Sequence, residues 1–142
     1  MPEQLTTSVR RLSHVTAIVS DLDRALDFYT RTLGLEKRDD DVFEYEGGKM
    51  RWLTVGVPGQ DLSIVLSTPM PSPGAKGDPD DWVGNGTMWV LEVDDCRRMV
   101  DDLRKKGVKI QSEPEEVPWG LSAVIRDPDG NPFNVVEPKP MG

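Results

Sequence analysis

Two stretches of the chain combine a strand pattern with a helical pattern that follows it directly. In the first stretch, residues 12–19 alternate between two faces and are rich in β-branched side chains, which favours a strand. Leucine and tyrosine side chains then recur at the spacing of a helix that ends near Gly34. Ser20 precedes this pattern, and we expect its side-chain oxygen to cap the helix. The stretch therefore predicts a strand, a helix and a second strand.

A second copy of this strand–helix unit lies in the other half of the chain. Val19 and Asp21 recur as Val93 and Asp95, each 74 positions later, and the helical pattern that follows keeps the same spacing. A fixed offset across a strand, a cap and a helical face indicates an internal repeat. Three further strand patterns follow the helix in each half, so each half is predicted to be βαβββ.

The repeat predicts an α+β protein made of a single domain. Two βαβββ modules can place their sheets as a curved half-barrel of mixed sheet, with the helices on one side and a cleft on the other. The linker between them is rich in proline and glycine. The predicted domain spans residues 10–138, with module one at 10–67, the linker at 68–86 and module two at 87–138.

Alternation along the strands separates side chains that face the helices from side chains that face the cleft. In the first strand Ala17 is predicted to face the helices, which leaves His14 and Thr16 toward the cleft. The repeat offsets place equivalent side chains of the other strands at the same level. The central positions of the predicted cleft are His14, Val65, Met88 and Asn134.

Composition and charge narrow the class of partner. The 142 residues suffice for one hydrophobic core, and 25 acidic against 17 basic side chains give a net charge of −8. This balance argues against binding to nucleic acid or to an anionic membrane surface. It suits a neutral or cationic small molecule.

The cysteine content and the length of the apolar segments indicate where in the cell the protein is located. Cys96 is the one cysteine, and it lies on the apolar face of the second helix, which predicts a buried and unreactive thiol. No apolar run is long enough to span a bilayer, and residues 1–11 lack the apolar segment of a signal peptide. We therefore expect a soluble, cytoplasmic protein.

Two segments resemble a known superfamily. Residues 14–36, HVTAIVSDLDRALDFYTRTLGLE, and residues 127–138, DPDGNPFNVVEP, are similar to the corresponding segments of vicinal oxygen chelate proteins. This superfamily includes glyoxalase I, bleomycin-resistance proteins, fosfomycin-resistance enzymes and extradiol dioxygenases. The resemblance covers about residues 10–138 and implies the same duplicated fold. It does not fix the function, because one fold carries many chemistries.

The resemblance also indicates where a metal would lie. In the metal-dependent members, the four central cleft positions carry histidine and glutamate or glutamine ligands to a divalent cation. Here only His14 matches, and Val65, Met88 and Asn134 occupy the other three positions. Valine has no donor atom and a thioether is a poor ligand for such ions, so we expect neither a metal nor another cofactor.

His14 and Glu92 are the candidate catalytic residues. An imidazole is suited to general-base chemistry, and Glu92 offers a carboxylate four positions after Met88. The alternative for His14 is a hydrogen-bonded cleft side chain without a chemical role. The predicted ligand-binding residues are His14, Thr16, Trp52, Val65, Met88, Glu92 and Asn134.

Two tryptophans and two arginines each have two possible roles. Trp52 either stacks on a ligand or packs the protein, and Trp82 in the linker either caps a surface or forms a lid over the cleft. Arg51 and Arg126 either bind an anionic group of a ligand or lie on solvated strand edges. These alternatives stay open at the level of sequence.

Three functions are compatible with the sequence. The favoured one is a metal-free protein of the bleomycin-resistance kind, in which a homodimer binds or sequesters a small molecule in its clefts. The second is a glyoxalase-like lyase or isomerase, with His14 and Glu92 as base and acid, and with or without an atypical divalent metal. The third is a domain whose cleft is filled by its own side chains and which has an interaction role. Both the resemblance and the exposed sheet edges of a half-barrel favour dimerisation.

Overall fold

The structure is a computed structural model that describes residues 11–45, 47–69, 81, 83–84 and 89–139. Within this part of the chain, the predicted repeat forms two four-stranded mixed sheets. The strands of the first sheet are β1 (His14–Ile18), β2 (Glu36–Tyr45), β3 (Gly48–Gly56) and β4 (Ser63–Ser67). They lie in the order β1–β4–β3–β2, with β1 parallel to β4 and the other neighbours antiparallel.

The second sheet repeats this arrangement. Its strands are β5 (Trp89–Glu92), β6 (Lys109–Val117), β7 (Gly120–Arg126) and β8 (Pro132–Pro138). Their order is β5–β8–β7–β6, with β5 parallel to β8. The predicted α+β class and the duplicated half-barrel architecture are therefore confirmed.

The pairing register shows that the two sheets are copies of each other. In the first sheet Val15 pairs with Ile64, and in the second sheet Trp89 pairs with Phe133. The first members of these pairs are 74 positions apart, and the second members are 69 positions apart. Both offsets are those that the sequence pattern predicts, so the register of these two parallel strand pairs agrees with the hydrophobic alternation.

One helix covers each sheet, and an aspartate caps each helix. The carboxylate of Asp21 accepts a hydrogen bond from the backbone N–H of Arg24, and Asp95 does the same for Arg98. The predicted cap at Ser20 is therefore wrong by one residue, because the neighbouring carboxylate satisfies the first turn. The helices are α1 (Leu22–Asp27) and α2 (Cys96–Lys105).

The first helix continues as a π-helix rather than as a regular α-helix. This wider segment spans Phe28–Thr32, and Gly34, at φ 85°, follows it in the left-handed conformation expected of a helix stop. Both Phe28 and its neighbour Tyr29 are buried. The π-helix thus allows two consecutive aromatic side chains to enter the core.

The hydrophobic core lies on the helix side of both sheets and is shared by the two modules. Leu66 and Val135, which directly follow the predicted cleft positions Val65 and Asn134 and therefore face the helices by alternation, are at most 1% exposed and belong to this core. Val65 and Val136 are also buried but lie outside the core cluster, since they point to the opposite faces of their sheets. The predicted separation of the two faces is confirmed at these positions.

A buried polar cluster joins the two modules. The Tyr29 hydroxyl donates a hydrogen bond of 2.8 Å to Asp127, and its ring packs edge-on against Phe133 with 5.9 Å between centroids. The Asn131 amide, which is fully buried, donates to Asp127 and to the backbone carbonyl of Ile18. We call Tyr29, Asp127 and Asn131 the inter-module joint. Burial, and then the charge of Asp127, raise the pKa of the Tyr29 phenol.

A proline lies inside the strand β6. Proline is usually confined to the ends, edges or bulges of strands, yet β6 runs through Pro114 to Val117. Register shifts on either side of Ser112 allow this, because they free the strand from regular pairing near the proline.

The predicted domain boundaries stay a prediction. Among the described residues, no helix is long and apolar enough to cross a membrane.

Candidate functional site

The first sheet presents an aromatic pair on the face away from the helices. The rings of His14 and Trp52 lie 5.6 Å apart between centroids and are tilted by 59°. The imidazole is exposed, and its Nδ1 lies 2.9 Å from the Ser13 hydroxyl. Trp52 is half-buried. The structure thus brings together two of the predicted ligand-binding residues, one on β1 and one on β3.

Polar side chains lie beside this pair on the same face. Thr16 and Val65 are direct neighbours across β1 and β4, and Val65 in turn neighbours Thr54 on β3. The Thr54 hydroxyl is fully buried and donates a hydrogen bond of 2.7 Å to the carboxylate of Asp39. Asp41, two residues further along β2, pairs with Trp52. This face therefore combines exposed aromatic surface with two carboxylates.

An arginine closes one end of the face. The Arg38 guanidinium donates hydrogen bonds to the side chain of Ser63 at 3.0 Å and to the carbonyl of Val57 at 2.8 Å, and it also binds the carbonyl of Gln60. Gly56 lies directly beneath it, and a Cβ there would overlap the guanidinium. Arg38 is consequently held by the β3–β4 turn, and Gly56 provides the space for it.

The second sheet presents a more open face. Asn134 is half-buried and pairs with Val90, whose side chain is 60% exposed, and the Ser122 hydroxyl lies 3.5 Å from the Asn134 amide oxygen. Glu92 is exposed and pairs with the buried Val136. These side chains form a mixed polar and apolar surface with one carboxylate at its edge.

The two faces are not joined by any contact that the structure describes. Within the described part of the chain, no hydrogen bond, ion pair or ring contact links His14 or Trp52 to Asn134 or Glu92. The polar contacts described between the modules lie instead at the inter-module joint and beside it, on the helix side. Met88 and Trp82, the remaining residues singled out from the sequence, lie outside the described residues.

The described cleft residues do not fit a divalent cation. His14 offers one imidazole and Asn134 one amide oxygen, whereas Val65 is apolar. Among the described residues, no group of three or more histidine, cysteine or acidic side chains is placed to hold a metal ion. The donor set falls short of the three or four ligands of a tight site, so no step of a reaction is assigned to a metal here.

The other reactive side chains are held in structural contacts. Arg51 binds Asp40 through its Nε and Asp23 through its Nη1, both at 2.8 Å, and its hydrogen bonds hold the pKa of Asp40 below the usual range. Burial raises the pKa of the Cys96 thiol, which leaves it a poor nucleophile. Neither side chain is available to a ligand in the cleft.

Sequence reasoning missed Arg38 and gave Asp39 no role beyond a solvated edge, although alternation along the third strand places Thr54 on the same face as Trp52. The shift of register between Lys37 and Asp39 turns Arg38 over the sheet, and alternation alone does not reveal such a bulge. Asp39 lies in a run of three aspartates that is typical of a solvated edge. The one usable signal in the sequence was Gly56 inside a predicted strand. A glycine at such a position often marks a place where another group approaches the strand backbone closely.

The fold and the site together define the class of protein. Two βαβββ modules, each with an open sheet face, are the architecture of the family whose model matches residues 11–135, described as the Glyoxalase/Bleomycin resistance protein/Dioxygenase superfamily. The chain belongs to this superfamily.

Individual relatives span both binding proteins and enzymes. The crystal structure of UcmS2 is 35% identical, with a TM-score of 0.78, and the match covers 92% of this chain and 99% of that one. TnmS3, an antibiotic-binding protein from Streptomyces sp. CB03234, is 28% identical, with a TM-score of 0.72 and coverage of 94% and 99%. A probable lactoylglutathione lyase from Synechocystis sp. is 30% identical over 132 residues, 89% of this chain and 94% of that protein.

Proposed function

We propose that this protein binds a neutral or cationic small organic molecule on its cleft faces without a metal ion. The observation that carries the proposal is the ring pair of the exposed His14 and the half-buried Trp52. It offers stacking surface beside Val65, an apolar residue at a position that the resemblance implies is a metal ligand in the metal-dependent members. Aromatic rings bind cations through their π-faces, and the carboxylates of Asp39 and Asp41 lie on the same face. The similarity to an antibiotic-binding protein supports this class of ligand.

The proposed binding residues come from both sheets. Module one contributes an aromatic and polar half, and module two contributes an apolar and amide-bearing half. Pockets for organic ligands commonly combine apolar walls with a few polar groups that fix orientation. The proposed ligand-contacting residues are His14, Thr16, Trp52, Val65, Met88, Glu92 and Asn134.

We also propose that the cleft is completed in a homodimer. Val90, at 60% exposure, and Phe43, at 53%, lie on open strand surfaces of different modules. Large exposed apolar side chains of this kind are commonly covered by a partner, and a second copy would bring a second-module face to each first-module face. The cytoplasmic location expected from the sequence stays a prediction.

Titration with cationic aromatic antibiotics tests the proposal. Intrinsic tryptophan fluorescence is followed during addition of metal-free bleomycin and a panel of related cationic compounds. We expect a saturable change for at least one compound, with the affinity reduced about fivefold in Trp52→Phe because one stacking contact is weakened. Trp119→Phe is the matched control, since Trp119 is 61% exposed in the β6–β7 turn and distant in register from the cleft positions.

Two results would contradict the binding proposal. One is the absence of a saturable response to every compound, together with unchanged thermal stability. The other is equal affinity in Trp52→Phe and the wild type. Elemental analysis of protein purified without chelator addresses the metal, since a stoichiometric divalent ion would overturn the metal-free part of the proposal.

The similarity to a probable lactoylglutathione lyase supports an enzymatic alternative. In that case His14 and Glu92 would act as base and acid on a ligand between the two faces. The test is lactoylglutathione lyase activity, assayed with and without added Zn²⁺, Ni²⁺ or Mn²⁺. Turnover that disappears in both His14→Ala and Glu92→Gln would favour the enzyme, and absence of turnover under all conditions would exclude this reaction.

A further inference from the structure

A groove runs between the two modules beside the first helical segment, at the end of the second sheet where β6 begins and β7 ends. It has a volume of about 530 Å³ and is lined by the first helical segment, the end of α2 and the β7–β8 turn. Phe28, Val108 and Pro128 give it an apolar floor, around which charged side chains are arranged. We call it the inter-module groove. Its volume is in the range of pockets that hold small organic molecules.

The acidic side chains of the groove are already engaged. Asp27 pairs with Arg31 at 3.2 Å, and Asp129 pairs with Arg24 at 3.0 Å. Asp127 accepts hydrogen bonds from Tyr29 within the inter-module joint, as described above. The groove therefore contains no carboxylate that is left without a hydrogen-bonding or ionic partner among the described residues.

Three of the four basic side chains that line the groove, in contrast, form no ion pair within the described part of the chain. Among the described residues, the Lys106 ammonium has one hydrogen-bond partner, the backbone carbonyl of Thr32, to which it donates at 3.4 Å. Arg126 donates to neutral groups, the side-chain oxygen of Gln111 and the carbonyl of Gly130. Lys109 is exposed and has no ion pair or side-chain hydrogen bond within the described part of the chain. Three cationic side chains thus line one groove without a carboxylate bound to them.

The register of the second sheet makes this arrangement unfavourable without a ligand. Lys109 lies directly opposite Arg126 at the end of the antiparallel pair of β6 and β7, so their side chains share one face of the sheet, the face that also carries Asn134. Like charges in this position destabilise a sheet. An anion bound between them would remove the repulsion. The groove has four basic against three acidic side chains, whereas the whole chain has a net charge of −8.

We propose that the inter-module groove binds a small organic oxyanion, a compound that bears a phosphate or carboxylate group. Lys109 and Arg126 contact the charged group, Lys106 lies at the other side, and the apolar floor at Phe28 takes the carbon skeleton. Because the groove is lined by both modules, the bound anion also stabilises their packing. None of the residues that line the groove is among the proposed ligand-contacting residues of the cleft.

An NMR titration at constant ionic strength tests the proposal. ¹H–¹⁵N spectra are recorded while chloride is replaced by inorganic phosphate, and separately by citrate. We expect saturable shifts of the backbone amides of Gly107 and Gly130, which line the groove, with the indole of Trp52 unchanged. Saturation by phosphate alone, by citrate alone or by both supports the site and identifies the preferred headgroup.

Charge-removing variants locate the effect. Lys109→Gln and, as a second variant, Lys106→Gln should each weaken the affinity about fivefold, because one charge-assisted contact is lost. Lys105→Gln removes the same charge from an exposed position of α2 outside the groove, and its affinity should stay within about twofold of the wild type.

Three outcomes would overturn the proposal. The first is a response that does not saturate by about 50 mM, far above the roughly millimolar affinity expected of a small charged ligand. The second is equal weakening in the control variant, which would indicate general screening. The third is a set of shifts confined to the cleft residues, which would place the anion there and leave the groove without a ligand.

Discussion

Tyr29 shows how a single buried hydroxyl can make stability depend on pH. Its phenol is neutral and donates to Asp127, and burial raises its pKa above the ordinary value of 10.0. A raised pKa means that the folded state holds the proton more tightly than the unfolded state does. The resulting stability is fully present below about pH 10 and is lost as the pH rises toward the folded-state pKa.

Replacement of Tyr29 by phenylalanine should therefore change the alkaline limb of the stability profile. At neutral pH we expect Tyr29→Phe to lose about 1 kcal/mol, since Asp127 keeps its bond from Asn131. Above about pH 10 the wild type should lose about 1.4 kcal/mol more per pH unit than the variant does. Urea unfolding at several pH values measures both, and parallel profiles would contradict the assigned role of the phenol.

The contact between Arg38 and Gly56 predicts a strong dependence of one residue on the other. Gly56→Ala places a methyl group where the guanidinium lies, and Arg38 can move only by giving up its bonds to the β3–β4 turn. We expect a loss of about 2 kcal/mol in the free energy of unfolding.

A double-mutant cycle provides the control for this prediction. In an Arg38→Ala background the same Gly56→Ala change should cost less than about 0.5 kcal/mol, because the obstacle is gone. Equal costs in both backgrounds would show that backbone conformation, rather than the arginine, is what requires glycine at this position.

At the scale of elements, the two helices depend on equivalent caps. Asp95 accepts the N–H of Arg98 at 3.1 Å, whereas Asp94 is exposed and precedes the cap. Asp95→Ala should destabilise the protein by about 1 kcal/mol, while the matched control Asp94→Ala should change stability by less than about 0.5 kcal/mol. Chemical denaturation distinguishes the two, and equal effects would indicate a general charge effect instead of capping.

Most elements could be predicted from the sequence because hydrophobic alternation and burial are tightly linked. The positions of Leu66 and Val135 in the core follow from period two and one repeat offset. The cap of α1 was misassigned, since Ser20 and Asp21 are adjacent and equally suited to the role. The π-helix after α1 was not predicted, because it depends on the packing of Phe28 and Tyr29 in the core rather than on local preference.

The candidate site was less predictable than the fold for a related reason. Alternation placed His14 and Trp52 on one face, and the structure brings their rings together. It did not reveal Arg38, whose position results from a bulge and from backbone carbonyls of a turn. Interactions between a side chain and a distant turn leave no periodic trace in the sequence.

At the scale of the whole molecule, the open faces of the two sheets predict association. If a second copy covers them, wild-type protein should have about twice the monomer mass of 15.8 kDa in light scattering. Val90→Glu places a charge on the exposed face of β5 and should shift the protein toward monomer. Val57→Glu, at a 40% exposed turn position, is the control and should leave the mass unchanged.

A monomeric wild type at micromolar concentration would contradict this prediction. So would a dimer that persists in Val90→Glu, because the contact would then have to lie elsewhere on the molecule. In either case the ligand-binding face would have to be complete within one chain.

The inter-module joint has a consequence for the history of the chain. By the repeat offsets, Tyr29 corresponds to Leu103, 74 positions later, and Asp127 corresponds to Pro58, 69 positions earlier. The phenol belongs only to the first half and its acceptor only to the second. A chimera of two first halves would bury a hydroxyl without its carboxylate acceptor, and a chimera of two second halves would leave the carboxylate with its donors from Asn131 but without the phenol. The duplicated halves have become a matched pair, and neither can now substitute for the other.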